Sequence, residues 1–292
     1  MKHSELFRIL PLVSLLVVLL AGCGVHVVTG SRDYLVGETY PEAERYQTGS
    51  FTYAAEEIQA VEVYWRSGEL ELIESEQAEL KVTESGTLSG ESAMHYLLDN
   101  GTLRVRFCGS GAKITVDPDD KRLTLEVPRG IALSIHGTAA PITAESLDQQ
   151  SILISSHSGS IELGQIKAET VDLSSSAGSI RAEGVQAQSL QCEASSGSVR
   201  LAGVAADEIK LKTSSGSVQL ALTAPTQAAV TTSSGGVTLS LPRGGAQLSY
   251  TSGSGSLRSG VAFQRLGDLY VFGEGESSIT VESSSGSLEI TE

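Results

Sequence analysis

Few residues in this chain of 292 have the types and spacing that chemistry demands. Ser156-His157-Ser158 sets a nucleophile-type hydroxyl beside a base-type imidazole. Nucleophilic catalysis needs the two in hydrogen-bond contact, with a third group orienting the base. Adjacent residues on a strand or tight turn point different ways, so this adjacency works against that contact. A solvated corner histidine is expected at 157. His136, placed on the preceding turn, and the remote His95 and His26 have no spacing that gathers three or four zinc ligands. Asp117-Pro118-Asp119-Asp120 supplies clustered oxygen ligands of the kind calcium takes, but lacks the glycine and spacing of a calcium loop. A turn with φ fixed by Pro118 is expected there instead. The residues therefore predict no catalytic centre, no cofactor and no metal.

The three cysteines differ in context. Cys108 and Cys192 match no metal or redox spacing. In an oxidising compartment they could pair, or each could be a buried free thiol; Cys192 falls at an inward strand position. Cys23 follows a short basic start, an apolar run from Ile9 to Leu20, and the small pair Ala21-Gly22. The run is short of the roughly 20 apolar residues of a spanning helix. Leu20-Ala21-Gly22-Cys23 resembles the lipobox of bacterial lipoproteins, in which the cysteine is diacylated and becomes the new N-terminus. That resemblance implies a signal peptide over residues 1–22, with an N-terminal signal helix, and a lipid on Cys23. The anchor would hold the chain on the extracytoplasmic face of the cell membrane. Each buried methylene contributes about 0.8 kcal/mol, so two or three acyl chains anchor a protein stably.

Composition narrows the classes that remain. The formal charge of −15 argues against nucleic acid, whose phosphates need clustered Lys and Arg. It also argues against a folded domain adsorbed on anionic lipid. Aromatic residues are only 5% while glycines number 31, which suits a thin, regular β structure.

The elements that must position any site come from an internal repeat. Gly159, Gly178, Gly197, Gly216 and Gly235 recur every 19 residues within Ser-Ser-Gly-Ser-Val-type corners. Gly255 follows after 20 and Gly286 after a further 31, which implies an insertion. Apolar residues alternate before each glycine (Ile152 and Ile154, Val171 and Leu173, Leu190 and Cys192) and after it (Ile161 and Leu163, Val199 and Leu201). Period-2 alternation marks strands with one buried face. Glycine at the corner is expected for a positive φ. One strand–corner–strand unit cannot bury its own apolar face, but stacked units can, about 4.8 Å apart. The expected fold is all-β, a β-solenoid or β-helix-like stack with a roughly 19-residue repeat; a sandwich of repeated hairpins is the alternative. Val61 and Val63 before Gly68, with Leu70 and Leu72 after it, extend the pattern upstream. The β domain is expected over residues 51–292, irregular in 51–130 and regular in 131–292. Residues 23–50 are expected as a lipidated tether. Tyr64 and Trp65 are expected to cap the open end of the core, with a sugar-stacking platform as the other reading. Glu282, Glu289 and Glu292 flank the last strand pair, where charge discourages edge-to-edge association.

Together the export signal, the turn Val127-Pro128-Arg129-Gly130 and the serial Ser-Gly strands from Ser156 to Leu288 resemble the bacterial putative-adhesin family, domains of unknown function. The resemblance covers most of residues 58–292. It implies a surface-exposed β-solenoid-like domain and transfers no catalytic or binding residues. The expected function is a non-enzymatic adhesin-like binding or scaffold module. Its partners would be the membrane through the lipid, and a protein or an envelope glycan across the exposed serine ladder. The alternatives are an envelope-sensing lipoprotein acting on a membrane partner and, third, a polysaccharide-active enzyme.

Overall fold

The computed structural model describes residues 35–86, 90–114 and 121–291. The expected signal helix, Cys23, His26, Asp117, Asp119, Asp120 and Glu292 lie outside the described residues.

The alternating segments are strands, and they stack in parallel. Ala132–Gly137 pairs with Ile142–Ser156 so that Leu133 lies beside Ile152 and Ile135 beside Ile154. Ile142–Ser156 then pairs with Ile161–Ser175, 19 residues on, with Ile152 beside Val171. Repeating this step makes buried columns. Ile154, Leu173, Cys192, Leu211 and Val230 form one on the wall before the corner. Ile161, Ile180, Val199, Val218 and Val237 form another beyond it. Each such side chain contributes about 1.5–3 kcal/mol on burial, and only stacking provides that burial. The β-solenoid-like fold is thus observed. The connection between units is itself a strand: pairing of Ile142–Ser156 with Ile161–Ser175 runs in three stretches, skipping Glu145 and Gln150. Leu147, Ile166, Val185 and Val204 are buried along this third wall.

The corner glycines serve a different purpose from the one expected. Positive φ angles occur at Gly184 and Gly203, but not at Gly159, Gly178, Gly197, Gly216 or Gly235. Those five are required by close approach. A Cβ on Gly197 would lie 2.6 Å from the carbonyl carbon of Gly178, and the same holds coil after coil.

Chain order and spatial order part at both ends. Thr102–Arg106 lies outside Ala60–Trp65, and Arg122–Val127 lies outside Glu69–Glu74, although both outer strands come later in sequence. Antiparallel strands His95–Asp99 and Glu79–Ser85 cover this end. At the far end Ser277–Ser283 sits between Gln227–Thr232 and Gly245–Ser252. Leu288–Thr291 sits between Val237–Ser240 and Leu257–Ser259. The last strands are therefore interior, and Glu282 and Glu289 guard no terminal edge. The outer edge is covered instead by the antiparallel hairpin of Leu269–Gly273 and Gln264–Leu266. Strands paired on both sides resist fraying, and an antiparallel hairpin stops a parallel stack from growing.

Much of the expected tether is also packed on the domain. Gln47–Thr48 pairs with His95 and Tyr96. The Gly37 N–H donates to Ala112 O at 2.7 Å, and the buried Tyr40 hydroxyl donates to Cys108 O at 3.1 Å. Leu35–Val36 and Gln47–Thr48 are strands of two residues each, too short for alternation to register in the sequence.

Candidate functional site

Outward positions on the wall before the corner also fall into register. One column reads Arg106, Tyr64, His136, Ser155, Ser174, Glu193 and Lys212. His136 lies on strand Ala132–Gly137 rather than on a turn. Tyr64 and Trp65 point to opposite sides of their strand. Trp65 is 1% exposed and packs edge-on against Phe107 at 4.9 Å, filling the end of the core as expected. Tyr64 faces outward, with His136 stacked on it at 4.7 Å and the Arg106 guanidinium at 3.7 Å from the ring centroid. Both neighbours occupy its ring, so Tyr64 offers a ligand its edge and hydroxyl rather than an open platform.

His136 is tied on both ring nitrogens, Nε2 3.0 Å from Ser134 Oγ and Nδ1 2.8 Å from Ser155 Oγ. Burial holds its pKa below the ordinary histidine value; Arg106 acts in the same sense, while Glu62 and Glu38 oppose. The unfolded chain therefore takes up the proton first as pH falls through about 6.5, and the stability contributed by neutral His136 is progressively lost below that. Urea unfolding at pH 7.5 and at 5.5, values that bracket the histidine pKa of about 6.5, should show a larger loss of midpoint for the wild type than for His136→Gln. An equal loss in both would refute the assignment.

The serines divide into two sets. Ser156 is buried and its hydroxyl donates to Gly159 O at 2.8 Å, closing the corner. Thr213 and Thr232 close theirs the same way, onto Gly216 O at 3.0 Å and Gly235 O at 3.2 Å. With Ser156 turned inward and His157 exposed, the two do not form a nucleophile–base pair. Ser176, Ser195 and Ser214 remain exposed, and Ser155 and Ser174 half-exposed, as a hydroxyl ladder.

Residues 37–40 cross the Arg106 end of this column and enclose a cleft of about 620 Å³. Tyr40, Tyr64, Arg66, Arg106, His136 and His157 line it, with Glu38 as the one carboxylate among the described residues. Burial pushes the Tyr40 hydroxyl up to about 12, so it stays a neutral donor. Gly137 and His157 also line a second groove of about 450 Å³, whose walls include Ser155, Ser174, Ser176 and Ser195. Cleft and ladder are therefore continuous. The cleft is not legible in the sequence, because its lining comes from segments up to 120 residues apart, from Gly37 to His157.

Cys108 and Cys192 are both buried free thiols, which resolves the alternative left open by the sequence. The inward column runs Val105, Val63, Ile135, Ile154, Leu173, Cys192, which places Cys192 about 24 Å along the stack from the strand preceding Cys108. Bridging requires Cα atoms within about 7 Å. Burial pushes the Cys108 thiol up to about 11 and the Cys192 thiol higher still. His95 is buried against Ala93 O, 3.0 Å from its Nδ1. Among the described residues no three His, Cys, Asp or Glu side chains converge as metal ligands, and no helix is long and apolar enough to cross a membrane.

Parallel coils in strict register, antiparallel caps at both ends and an outward polar ladder place the chain in the class of β-solenoid-like stacks. The chain belongs to the Toastrack DUF4097 family, whose profile matches residues 58–291. This bears out the family resemblance carried by the serial Ser-Gly strands. Among solved structures, a "putative lipid binding protein" from Parabacteroides distasonis superposes with a TM-score of 0.52 at 17% identity, over 83% of this chain and 96% of its own. A "putative adhesin" from Bacteroides fragilis gives 0.48 at 10% identity, over 84% and 97%. Another from Parabacteroides merdae gives 0.47 at 11%, over 84% and 97%. At these identities the likeness is one of fold. No curated protein matches the sequence.

Proposed function

We propose that this protein is a membrane-anchored extracytoplasmic lipoprotein whose β stack is a non-enzymatic, adhesin-like binding module. The observation that carries the reading is the continuous outward face on which a cationic cleft joins a ladder of serine hydroxyls, held on a rigid core. Such a face can hold a ligand along its length. Its histidine–hydroxyl contacts, at His136, connect the imidazole to Ser134 and Ser155, with no acid among the described residues hydrogen-bonded to it to orient it as a base. The anchor is Cys23. It precedes Leu35 by 12 residues, a span of at most about 40 Å. Leu35–Val36 pairs with Lys113–Ile114 near the Thr102–Arg106 end, so the lipid would hold that end toward the bilayer and leave the Leu269–Gly273 cap distal.

Metabolic labelling with a fatty acid and membrane fractionation test the anchor. Cys23→Ala should lose the label and leave the membrane fraction, while its circular dichroism and melting stay those of the wild type. A mutant that remains equally membrane-bound would refute the anchor. Binding of the full-length protein to cells, matrix proteins and envelope polysaccharides tests the module. Failure on all three would refute it.

A further inference from the structure

Arg106 is treated differently from other arginines of this end of the stack. Arg104, two residues earlier on the same strand, pairs with Glu62 at 3.2 Å; Arg122 pairs with Glu69 and Arg129 with Glu74. The chain carries 35 acidic against 20 basic side chains, so carboxylates are plentiful. The Arg106 side chain nevertheless has no ion pair and no hydrogen bond among the described residues. Its guanidinium lies over the Tyr64 ring at 3.7 Å and the Tyr40 ring at 5.1 Å, and its Nε is buried without a partner. Leaving a buried donor unpaired is costly, and more so for a charged group. A charged donor left without an acceptor in a cleft points to a ligand that supplies one.

We propose that this cleft binds the carboxylate of an acidic polysaccharide, with Arg106 as the principal contact. A guanidinium held by two tyrosines is oriented in advance, and its planar fork suits a carboxylate in two parallel hydrogen bonds. The rest of the chain would run past His157 into the groove lined by Ser155, Ser174, Ser176 and Ser195, where repeating hydroxyls meet repeating hydroxyls. That run favours a polyhydroxylated ligand over a peptide, which would draw its affinity from edge pairing or from apolar anchors. The inference rests on the binding-module reading and gives that module a site and a ligand class.

The test uses full-length lipoprotein in detergent micelles, with polygalacturonate, the same polymer after chemical reduction of its carboxyl groups, and neutral dextran. Polygalacturonate should bind, and binding should weaken as salt rises from about 0.05 to 0.5 M. Carboxyl reduction and Arg106→Gln should each weaken it about tenfold or more, the loss expected for a charge-assisted pair. Arg106 also supports the packing of residues 37–40, so His157→Glu provides a second variant. His157 is exposed, and the substitution places a repelling carboxylate where cleft and groove meet without touching the core. It should weaken polygalacturonate binding and leave the melting curve unchanged. Equal binding of the native and reduced polymers, or indifference to both substitutions, would overturn the proposal while leaving the binding-module reading in place. Absence of binding to every polysaccharide would overturn the proposal and the glycan branch of that reading together.

Discussion

Gly197→Ala destabilises the stack by about 3 kcal/mol or more and should lower its melting temperature by roughly 10 °C. The added Cβ would stand 2.6 Å from the carbonyl carbon of Gly178 and closer still to its oxygen. Both are backbone atoms, so no rotamer change relieves the contact. The coils would have to separate locally, at the expense of the hydrogen bonds that tie this corner to its neighbours. Ser195 N–H donates to Ser175 O and Ser196 N–H to Ser176 O, both at 3.0 Å, and Val199 N–H donates to Ser217 O at 2.9 Å. Each contributes about 1 kcal/mol net, and more is lost where the freed group stays buried. Gly236→Ala is the matched control. Its Cβ would meet only Ser287 O at 3.7 Å, and the equivalent position of other coils carries Ser160, Ser179, Ser198 or Ser217. Thermal melts of the two variants should therefore differ sharply. Similar melting would show that the glycine column is there for some reason other than close approach.

Lys121→Met should cost about 3–5 kcal/mol, the range found when one partner of a buried ion pair is removed. Lys121 is completely buried at the capped N-terminal end. Its ammonium donates to Glu84 Oε1 at 2.8 Å, to Ser92 O at 2.8 Å and to Phe107 O, which uses all three of its protons. It also lies over the Phe107 ring at 4.1 Å. Burial lowers its pKa, against the opposing pull of Glu84, so the pair is a costly one that its partners hold together. The contact joins the cap strand Glu79–Ser85 and the Gly90–Ser92 turn to the coil that begins at Arg122. Methionine fills similar volume but leaves the Glu84 carboxylate, among the described residues, only the Met94 N–H, at 2.8 Å. Adding Glu84→Gln to Lys121→Met should recover part of the loss, because the uncompensated charge is then gone. Hydrogen exchange should show the damage confined largely to the N-terminal coils, since each coil of a stack contacts only its neighbours. Uniform loss of protection along the stack, or no recovery in the double variant, would contradict this account.

The columns of the core were legible because they rest on local information. Alternation along Ile152 to Ile154 and Ile161 to Leu163 sets which residues face inward, and the 19-residue spacing sets which of them stack. The same parity makes Ser156 an inward serine and leaves Ser155 out, a distinction between structural and exposed hydroxyls that the serine run does not advertise. The role of the corner glycines was not legible. Composition suggests a positive φ, whereas the requirement comes from a carbonyl belonging to the previous coil.

Sequence by itself determined the class of fold, the repeat, the inward columns and the family, together with the cysteine context on which the anchor proposal rests. Tertiary structure alone decided the order of coils at the two ends, because every coil presents an equivalent parallel edge. The pattern of Leu288 and Ile290 fits beside Val237 and Leu239 as well as beside Leu257 and Ser259, and the chain takes both neighbours by inserting between them. The same rearrangement at the other end lays Thr102–Arg106 against Ala60–Trp65 and so sets Arg106 beside Tyr64 and Tyr40. The cleft exists only through that placement. A strand's periodicity says which side chains leave the core together, but which strand lies next to it is settled by the packing of the whole stack and its caps.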